Sequence, residues 1–354
     1  MPNRDHDIGL LLSRLHCVER RQRLTVLALS VVGSLAAVFL LAAARGPAPR
    51  PRTLVPGCVV VEPGNSGDDT AAIQNAIDSL GPEGGAVLFA AGTYRHTGLR
   101  GRANLHLRGV GTASAVIDYT PSSGDGITLP SDPDYFALSD LTLTSSGQST
   151  GWAVRASAGA QRSLQFSRIN VGGFENGIYI ANALNCTVDG CRIGHRVPPG
   201  GIGVQFGDGK TTGGNGVTIQ DCYFNSLKKG VVTYAQAMLV LRPIFELCEA
   251  GLETHGTTVA VHPWVSNTNR HDVRILPNTV GGLSGTGALL LGYGSGGWRI
   301  DYGTATERRR TIVIPERFDV SPGDDPADPH GVQFGKVVID HDGMVHAKGV
   351  QELP

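Results

Sequence analysis

Tyr234, His255 and Glu253 are the residues of this 354-residue chain whose types and spacing best fit proton-transfer chemistry. Tyr234 and His255 are each the fifth residue of a short segment that begins with a glycine, Gly230 or Gly251. In these segments inward, mostly apolar positions alternate with outward ones, which is the two-residue period of a β-strand. If the two segments pair as neighbouring parallel strands, Tyr234 and His255 lie in one column about 4.8 Å apart. A phenol and an imidazole at that separation, with Glu253 beside them, could serve as acid and base.

Other polar and aromatic side chains are predicted on or near the same strand face. Some are outward residues of earlier segments, two are lysines in the preceding loop, and one is an aromatic residue in the polar segment 262–272. Taken singly, each of them could also be an ordinary solvated position on the outside of a sheet. The candidate ligand-binding residues are Arg155, Tyr179, Gln205, Lys228, Lys229 and Trp264.

The elements that would position these residues repeat along the chain. Six segments that begin with glycine follow one another at intervals of 21 to 29 residues. A second repeat, at 138–143, 166–171, 188–193, 219–224 and more weakly 241–246, runs in register with the first. A repeat of this length cannot bury a core alone, so successive copies must stack into a β-solenoid. The six segments start at Gly126, Gly151, Gly177, Gly201, Gly230 and Gly251.

Each copy of the second repeat contains a two-residue corner between two strands. The second corner residue is Asp140, Arg168, Gly190, Asp221 or Pro243. Aspartate and glycine tolerate the left-handed backbone that a sharp bend needs. The sequence therefore predicts three strands in each coil, one at the glycine segment and two on either side of this corner.

The segments 67–77 (GDDTAAIQNAI) and 84–94 (GGAVLFAAGTY) resemble the entry segment of the pectate-lyase-like superfamily. The resemblance implies an all-β, single-stranded right-handed parallel β-helix over roughly residues 60 to 295. It also implies polysaccharide as the partner, because many members are polysaccharide lyases, hydrolases or phage tailspike depolymerases. A helix at 70–80, capped by Asp68 or Asp69, would cover the N-terminal end of the solenoid, and residues 87–94 would form the first coil.

Two reaction types can be compared for such a protein. A glycosidase needs two carboxyl groups beside the bond that it hydrolyses. No aspartate occupies an outward position of the six glycine segments, and Glu253 has only Glu249 or Glu246 near it. A polysaccharide lyase instead needs a base for the proton beside a uronate carboxylate and a cation for the resulting enolate. Tyr234 and His255, with the nearby lysines, meet that need, so β-elimination is favoured over hydrolysis.

Other functions stay open at this point. The outward residues Ala153, Ala181, Gly203 and Val232 are small or apolar. Such a face favours a non-catalytic β-helix that serves as a cell-surface binding or structural module. A phage tailspike is a third hypothesis, and the apolar N-terminal segment argues against it. Because tailspike relatives trimerise through their C-terminal ends, a homotrimer contact at that end of the chain is a further expectation.

The N-terminal region predicts the compartment. Residues 24–44 form an uncharged apolar run long enough to span a bilayer, and the arginine excess before it predicts a cytoplasmic tail. A cleavable signal peptide is the alternative, because the alanines at 42–44 fit a cleavage site, and the protein would then be secreted. In either case the β-helix is expected on the extracytoplasmic side of the membrane. The predicted parts are a tail at 1–23, a single-pass transmembrane signal anchor at 24–44, a proline-rich linker at 45–57, the β-helix at 58–298 and a C-terminal β cap at 299–354.

Composition narrows the possible ligands. A formal net charge of −1 without a basic stripe argues against nucleic acid. No Cys/His or Asp spacing is typical of a metal site, so neither a metal nor another cofactor is expected. Cys191 and Cys222 occupy the same inward slot in successive coils. They are predicted to stack as buried thiols, although a disulfide between them is geometrically possible.

Overall fold

The computed structural model describes residues 52–55, 57–64, 67–194, 200–210, 213–266, 271–277, 287–291, 300–304, 306, 308, 310–314, 332–334, 337–339 and 345–347. The predicted tail, the predicted membrane span and most of the predicted linker lie outside these ranges. Within them, no helix combines the length and the apolar character that a membrane crossing requires. The one strand that falls in the predicted linker, Arg52–Val55, pairs antiparallel with Cys58–Val61.

Three long sheets, here called sheets A, B and C, run through the described domain, and from Gly85 to Ile275 each coil contributes one strand to each sheet in that order. Apart from the first strand of sheet A, neighbouring strands are parallel, which confirms the predicted stack of coils and is consistent with the expected right-handed β-helix. The strands of sheet A are Arg52–Val55, Cys58–Val61, Gly85–Phe89, Leu105–Gly109, Ala137–Ser139, Gln165–Ser167, Thr187–Asp189, Val217–Gln220, Met238–Leu241, Thr257–Val261, Gly287–Leu291 and Thr311–Ile314. Those of sheet B are Gly92–His96, Ala115–Tyr119, Thr142–Ser145, Asn170–Gly172, Arg192–Gly194, Tyr223–Asn225, Ile244–Glu246 and Trp264–Ser266. Those of sheet C are Leu99–Arg100, Ile127–Leu129, Trp152–Ala156, Asn176–Ile180, Gly200–Phe206, Leu227–Thr233, Ala250–Thr254, His271–Ile275 and Ile300–Tyr302.

Two small sheets complete the described elements. A parallel ladder between sheets C and A consists of Gln161–Arg162, Ala183–Leu184 and Gly214–Asn215. An antiparallel sheet in the predicted C-terminal cap consists of Val332–Phe334, Val337–Ile339 and Val345–Ala347.

The glycines that mark the repeat are needed for close packing inside the coil. Phe224 and Phe245 of sheet B stack in the core with ring centroids 5.3 Å apart. A Cβ atom at Gly230 would lie 2.5 Å from the Phe245 ring, and one at Gly251 would lie 2.9 Å from it. Sheet C can therefore approach the aromatic core only where these positions lack a side chain.

Two of the six glycine segments are shifted by two residues relative to the sequence prediction. Val154 pairs with Ile178, and Ile178 pairs with Val204. Ala153 and Gly203 therefore occupy the buried position that Gly177 occupies in its coil, rather than the outward positions predicted for them. Alternation begins only at Val154 and Val204, because the residue before each of them is also buried, and Gly151 and Gly201 lie two residues before the buried position that Gly177 occupies.

The corner between sheets A and B has a left-handed backbone in successive coils, as predicted. The φ angles are 58° at Asp140, 50° at Arg168, 59° at Gly190 and 51° at Asp221. The sequence analysis placed the corner of the next coil at Pro243, which is one residue too late, because the left-handed residue there is Arg242 with φ 47°. Proline cannot take this position, since its ring fixes φ near −65°.

Ion pairs between coils hold arginines in this unusual conformation. The Arg168 guanidinium donates to both carboxylate oxygens of Asp140, at 2.7 and 3.0 Å. Arg242 makes the same paired contact with Asp221, at 2.7 Å for each bond. These bidentate contacts compensate part of the cost of the left-handed backbone.

The N-terminal helix is Thr70–Asp78, which ends two residues before the predicted boundary. Ile73, Ala76 and Ile77 are buried against the first strands of sheets A and C. The Asp68 carboxylate accepts the Thr70 N–H at 2.9 Å, so it satisfies a donor of the first turn. Asp69 instead accepts the backbone N–H groups of Gly64 and Arg95, and thus has a structural role between neighbouring segments.

The cysteines of the described residues are all free thiols. Cys191 and Cys222 are buried in the same inward column, as predicted, and no disulfide joins them. Burial raises the pKa of Cys186 and of Cys248 to about 11. These thiols are therefore protonated packing groups at neutral pH.

The Arg168 corner can be tested with two substitutions. Both Arg168→Gly and Arg168→Ala remove the contact with Asp140, but only alanine retains the steric cost of φ 50°. We expect Arg168→Ala to be less stable than Arg168→Gly by about 1 kcal/mol in the free energy of unfolding. Urea unfolding of the two variants measures this difference directly. An alanine variant as stable as the glycine variant would contradict the predicted strain.

Candidate functional site

The outer face of sheet C presents one continuous column of outward side chains. Strand register aligns each member with the next, from one coil to the following one. Neighbouring members are therefore separated by about 4.8 Å along the solenoid. In order, the column is Thr128, Arg155, Tyr179, Gln205, Val232, Glu253, Arg274 and Asp301.

Glu253 is the centre of a charged cluster in this column. Although it lies on the outer face, only 3% of it is exposed. One carboxylate oxygen accepts from Lys229 Nζ at 2.7 Å, and the other accepts from Arg274 Nη1 at 2.7 Å. Arg274 Nε also donates to Asp301 at 3.1 Å. The result is a chain of alternating charges that extends across four successive strands of sheet C.

The partners of Glu253 determine its charge state. Burial alone would raise the pKa of the Glu253 carboxyl group. Hydrogen bonds from His255 and Lys229, together with the charges of Lys229 and Arg274, outweigh burial and lower that pKa to about 2. Glu253 is therefore an anion at neutral pH and cannot donate a proton to a leaving group.

Both ring nitrogens of His255 face acceptors. Nδ1 lies 3.1 Å from the carbonyl oxygen of Pro277, and Nε2 lies 3.4 Å from Oε1 of Glu253. Because a carbonyl oxygen can only accept, Nδ1 must carry a proton. A proton on Nε2 as well would complete the contact with Glu253, whereas the neutral ring that keeps the proton on Nδ1 leaves a lone pair on Nε2.

Tyr234 stacks on the imidazole of His255. The two ring centroids are 4.2 Å apart and the ring planes differ by 15°. Burial, followed by the negative charges of Glu253 and Asp208, raises the pKa of the Tyr234 hydroxyl group. The phenol thus remains protonated at neutral pH, which suits it as a proton donor.

The remaining predicted residues lie at different distances from this cluster. Lys229 is part of it, whereas the neighbouring Lys228 is exposed. Tyr179 and Gln205 lie in the same column on the preceding coils, with Val232 between Gln205 and Glu253. The Gln205 side chain donates to the carbonyl oxygen of Gly207 at 2.7 Å.

Arg155 and Tyr179 form a second group farther along the column. The Arg155 guanidinium lies 5.8 Å from the Tyr179 ring centroid and 3.3 Å from the Asp125 carboxylate. The Tyr179 ring also contacts Trp152, at 5.2 Å between centroids. Burial raises the pKa of Tyr179, so its hydroxyl group is neutral.

Trp264 does not join either group. It begins a strand of sheet B, where it pairs with Ile244, and 47% of it is exposed. Trp264 therefore lies on a different sheet from Tyr234 and His255, and its role in ligand binding stays a prediction. The chain turns from sheet A to sheet B at His262, which has φ 48°, so Trp264 follows the corner and precedes the next strand of sheet C.

The sequence prediction missed Arg274 and Asp301. The strand His271–Ile275 carries buried Val273 and outward Arg274, which is the alternation of the earlier coils. Asp272 stands where the preceding coil has Gly251, so this coil lacked the signal used to find the repeat. Val273 and Ile275 are apolar residues on either side of Arg274, so the inward–outward alternation of this segment would have marked Arg274 as an outward residue without a glycine.

The cluster suits an anionic ligand better than a metal ion. Among the residues that the structure describes, no group of three His, Cys, Asp or Glu side chains has the arrangement of a metal site. Both oxygens of Glu253 are already occupied by cations. Lys229 and Arg274 each have further N–H donors, which can bind a carboxylate.

The arrangement also limits the reaction type. Hydrolysis by two carboxyl groups requires one of them to be protonated. Glu253 is held as an anion, and Asp301 accepts from Arg274. A basic imidazole, a protonated phenol and two cations together fit proton abstraction beside a carboxylate.

Comparison with known proteins identifies the relatives of this chain. The family described as rhamnogalacturonase A/epimerase, pectate lyase-like, matches residues 61–262. The mannuronan C5-epimerase AlgE2 of Azotobacter vinelandii is 32% identical over 127 residues, which cover 29% of this chain and 13% of the epimerase.

Two solved structures show the same fold. The Agl-KA catalytic domain matches with a TM-score of 0.54 and 16% identity, over 73% of this chain and 52% of that one. The catalytic unit of a thermostable GH87 α-1,3-glucanase from Streptomyces thermodiastaticus matches with a TM-score of 0.53 and 18% identity, over 69% of this chain and 48% of that one. The chain thus spans about half the length of these structures.

The charge state of Glu253 predicts a pH-dependent effect on stability. Because its pKa falls from 4.5 to about 2 on folding, the carboxylate stabilises the fold at pH above 4.5, and this contribution is lost as the pH falls through 2. We expect Glu253→Gln to lower the free energy of unfolding by about 3 kcal/mol at pH 7 and by much less at pH 2.5. Urea unfolding at both values measures the change.

The exposed neighbour Glu249 provides the matched control for this measurement. Glu249→Gln makes the same chemical change without removing a buried ion pair, so its effect should be small at both pH values. An equal loss of stability at pH 7 and pH 2.5 in Glu253→Gln would contradict the assigned charge state.

Proposed function

Because the chain belongs to the rhamnogalacturonase A/epimerase, pectate lyase-like family, we propose that it binds a uronate-containing polysaccharide on sheet C and cleaves it by β-elimination. The observation that carries the proposal is the stacked pair of Tyr234 and His255 beside a buried Glu253 held by Lys229 and Arg274. A desolvated cluster of this kind on an outer face is more typical of a functional site than of packing.

The first step is removal of the proton on C5 of a uronate. Nε2 of His255 takes this proton, while Pro277 holds the Nδ1–H and Glu253 stabilises the imidazolium. The electron pair of the C–H bond moves into the carboxylate, which becomes an enolate. Lys229 and Arg274 stabilise that added negative charge through their remaining N–H groups.

The second step breaks the glycosidic bond at C4. The enolate collapses to a double bond between C4 and C5, and the electron pair of the C4–O bond goes to the leaving oxygen. The Tyr234 hydroxyl donates a proton to that oxygen, which suits a phenol whose raised pKa keeps it protonated. His255 later returns its proton to Tyr234 or to solvent, so the reaction needs no oxidant or reductant.

The rest of the column would bind the polysaccharide on either side of the reacting sugar. Tyr179 and Arg155 offer an aromatic ring and a cation three and four coils away from Glu253. Gln205 and the exposed Lys228 offer hydrogen-bond donors in between. Because coils repeat every ~4.8 Å, an extended glycan along the solenoid axis would meet one outward side chain after another.

C5 epimerisation is a second candidate, favoured by the similarity to the mannuronan C5-epimerase. It shares the first step with elimination, and the two reactions diverge at the enolate. If a proton returns to C5 from the opposite face before the C4–O bond breaks, the product is an epimer without chain cleavage. Proton NMR of the product separates the two outcomes, because only elimination forms an unsaturated sugar.

The activity is tested with the full-length protein and a panel of uronate-containing and neutral polysaccharides. Ultraviolet absorbance follows unsaturated products, and an assay of reducing ends follows chain breaks. We expect unsaturated product from a polyuronate, and we expect Tyr234→Phe and His255→Ala each to reduce kcat by 10²–10⁴-fold, roughly the contribution of one acid or base.

Tyr135→Phe is the matched control, because it removes a hydroxyl group from an exposed tyrosine outside sheet C. Its kcat should equal that of the unmodified protein. Reducing ends without unsaturation would replace elimination by hydrolysis. The absence of product, including epimer, across the panel would leave a non-catalytic binding or structural module as the better explanation.

We also propose that the β-helix acts outside the cytoplasm, tethered by residues 24–44. This apolar run, preceded by arginines, supports a signal anchor. We expect the mature protein to retain its N-terminal segment and to sediment with membranes. A mature mass that lacks residues 1–44, with the protein in the soluble extracellular fraction, would instead establish a cleaved signal peptide.

A further inference from the structure

A second polar groove lies on the outer face of sheet B, separate from the cluster on sheet C. It has a volume of about 670 Å³. The groove, here called the sheet B groove, is bounded by Thr142, Thr144, Asn170, Gly172, Arg192 and Asn225. All of these residues lie on neighbouring strands in consecutive register, so the groove runs along the solenoid axis.

The floor of the groove is open because two of its positions are glycines. Gly172 aligns with Thr144, and Gly194 aligns with Asn225, so both occupy outward positions of sheet B. A Cβ atom at Gly172 would meet nothing closer than the Gly194 carbonyl oxygen at 3.8 Å. The fold would thus accept a side chain at position 172, and its absence leaves room for a ligand.

Among the described residues that line the groove, Arg192 alone carries a formal charge. Its guanidinium lies 4.9 Å from the Tyr223 ring centroid. No carboxylate in the described part of the chain forms an ion pair with it. The other lining side chains offer hydroxyl and amide groups, so the groove combines neutral hydrogen-bonding groups with one cation available to an anion.

The ring beneath Arg192 is held in place by its own contacts. The Tyr223 hydroxyl donates to Glu246, and Asn225 Nδ2 donates to the Tyr223 oxygen at 3.0 Å and to Glu246 at 3.2 Å. These bonds occupy the Glu246 carboxylate and orient the ring. Arg192 is therefore positioned by stacking before any ligand arrives.

Trp264 lies in the same column as Arg192 and Tyr223. Strand pairing links Arg192 to Tyr223, Tyr223 to Ile244 and Ile244 to Trp264. Trp264 is thus three strands from Arg192, about 14 Å at ~4.8 Å for each step. An exposed indole at this position offers the flat apolar surface on which a sugar ring packs.

We propose that the sheet B groove binds an acidic oligosaccharide. One carboxylate of the oligosaccharide contacts the Arg192 guanidinium, and a sugar ring a few units farther along the same oligosaccharide packs on Trp264. The groove would retain the polysaccharide without taking part in its cleavage. The assignment of uronate as the acidic sugar rests on the proposed function, whereas binding to this groove does not.

Tryptophan fluorescence of the full-length protein tests the proposal, and Trp264→Phe separates the signal of Trp264 from that of the two other tryptophans of the chain. We expect a short polyuronate to change the emission, and the part of that change that is absent in Trp264→Phe is the signal of the groove. Arg192→Gln should raise the dissociation constant about tenfold, because a charge-assisted contact is lost. Gly172→Gln, which fills the groove at a position that accepts a side chain, should abolish the signal.

The matched control is Arg162→Gln, which neutralises an exposed arginine outside sheet B. It should bind as the unmodified protein does. Unchanged affinity in both Arg192→Gln and Gly172→Gln would overturn the proposal, and equally tight binding of a neutral oligosaccharide of the same length would overturn the acidic ligand. Arg192-dependent binding without any product would refute the proposed function alone. Product without Arg192-dependent binding would refute the groove alone.

Discussion

The close contact between sheet C and the aromatic side chains of sheet B is the constraint on which the rest of the molecule depends. Phe224 and Phe245 fill the interior, and Gly230 and Gly251 let the opposite strands approach them without a side chain. This packing fixes which residues of each strand point inward. Because neighbouring strands of sheet C keep the same parallel register, outward residues fall into straight columns, and side chains from different coils meet at ~4.8 Å. The Tyr234–His255 stack and the ion pairs of Glu253 both follow from that alignment.

A buried carboxylate on an outer face is costly, and its partners indicate why it persists. Removal of Glu253 from water opposes ionisation, yet two cations and an imidazole reverse that effect. Such networks contribute little net stability compared with apolar packing of the same volume. The face could have been closed by residues like Val232, as it is one coil earlier. The charged cluster is therefore better explained by what it can bind and polarise than by what it adds to the fold.

The sequence predicted the fold and the central pair because both depend on a short-range rule. Alternation counted from Gly230 and Gly251 was sufficient to align Tyr234 with His255. At Gly201 the same rule misplaced the aligned glycine by two residues. Gly201 and Gly203 both fit a strand of this sequence, and only the packing of the core selects Gly203 as the residue aligned with Gly177 and Gly230. Arg274 was missed because Asp272 stands in place of the marker glycine. The sheet that carries Trp264 was not predicted, because it depends on a single left-handed residue, His262, and one histidine in a sequence is only a weak indicator of that backbone.

The electrostatic properties of the chain are local. With a formal net charge of −1, the protein as a whole does not attract a polyanion. Attraction must come from individual cationic side chains that still have N–H groups available for a ligand. These cations are Lys229 and Arg274 on the outer face of sheet C and Arg192 on the outer face of sheet B. The first two are partly neutralised by Glu253, so in the proposed mechanism they would stabilise the enolate, where negative charge increases, more than the bound carboxylate. Arg192 has no such counter-charge among the described residues and favours the ground state. The two proposals, retention of an acidic polysaccharide and its reaction, thus place opposite demands on a cation, and a solenoid with several outer faces could meet both.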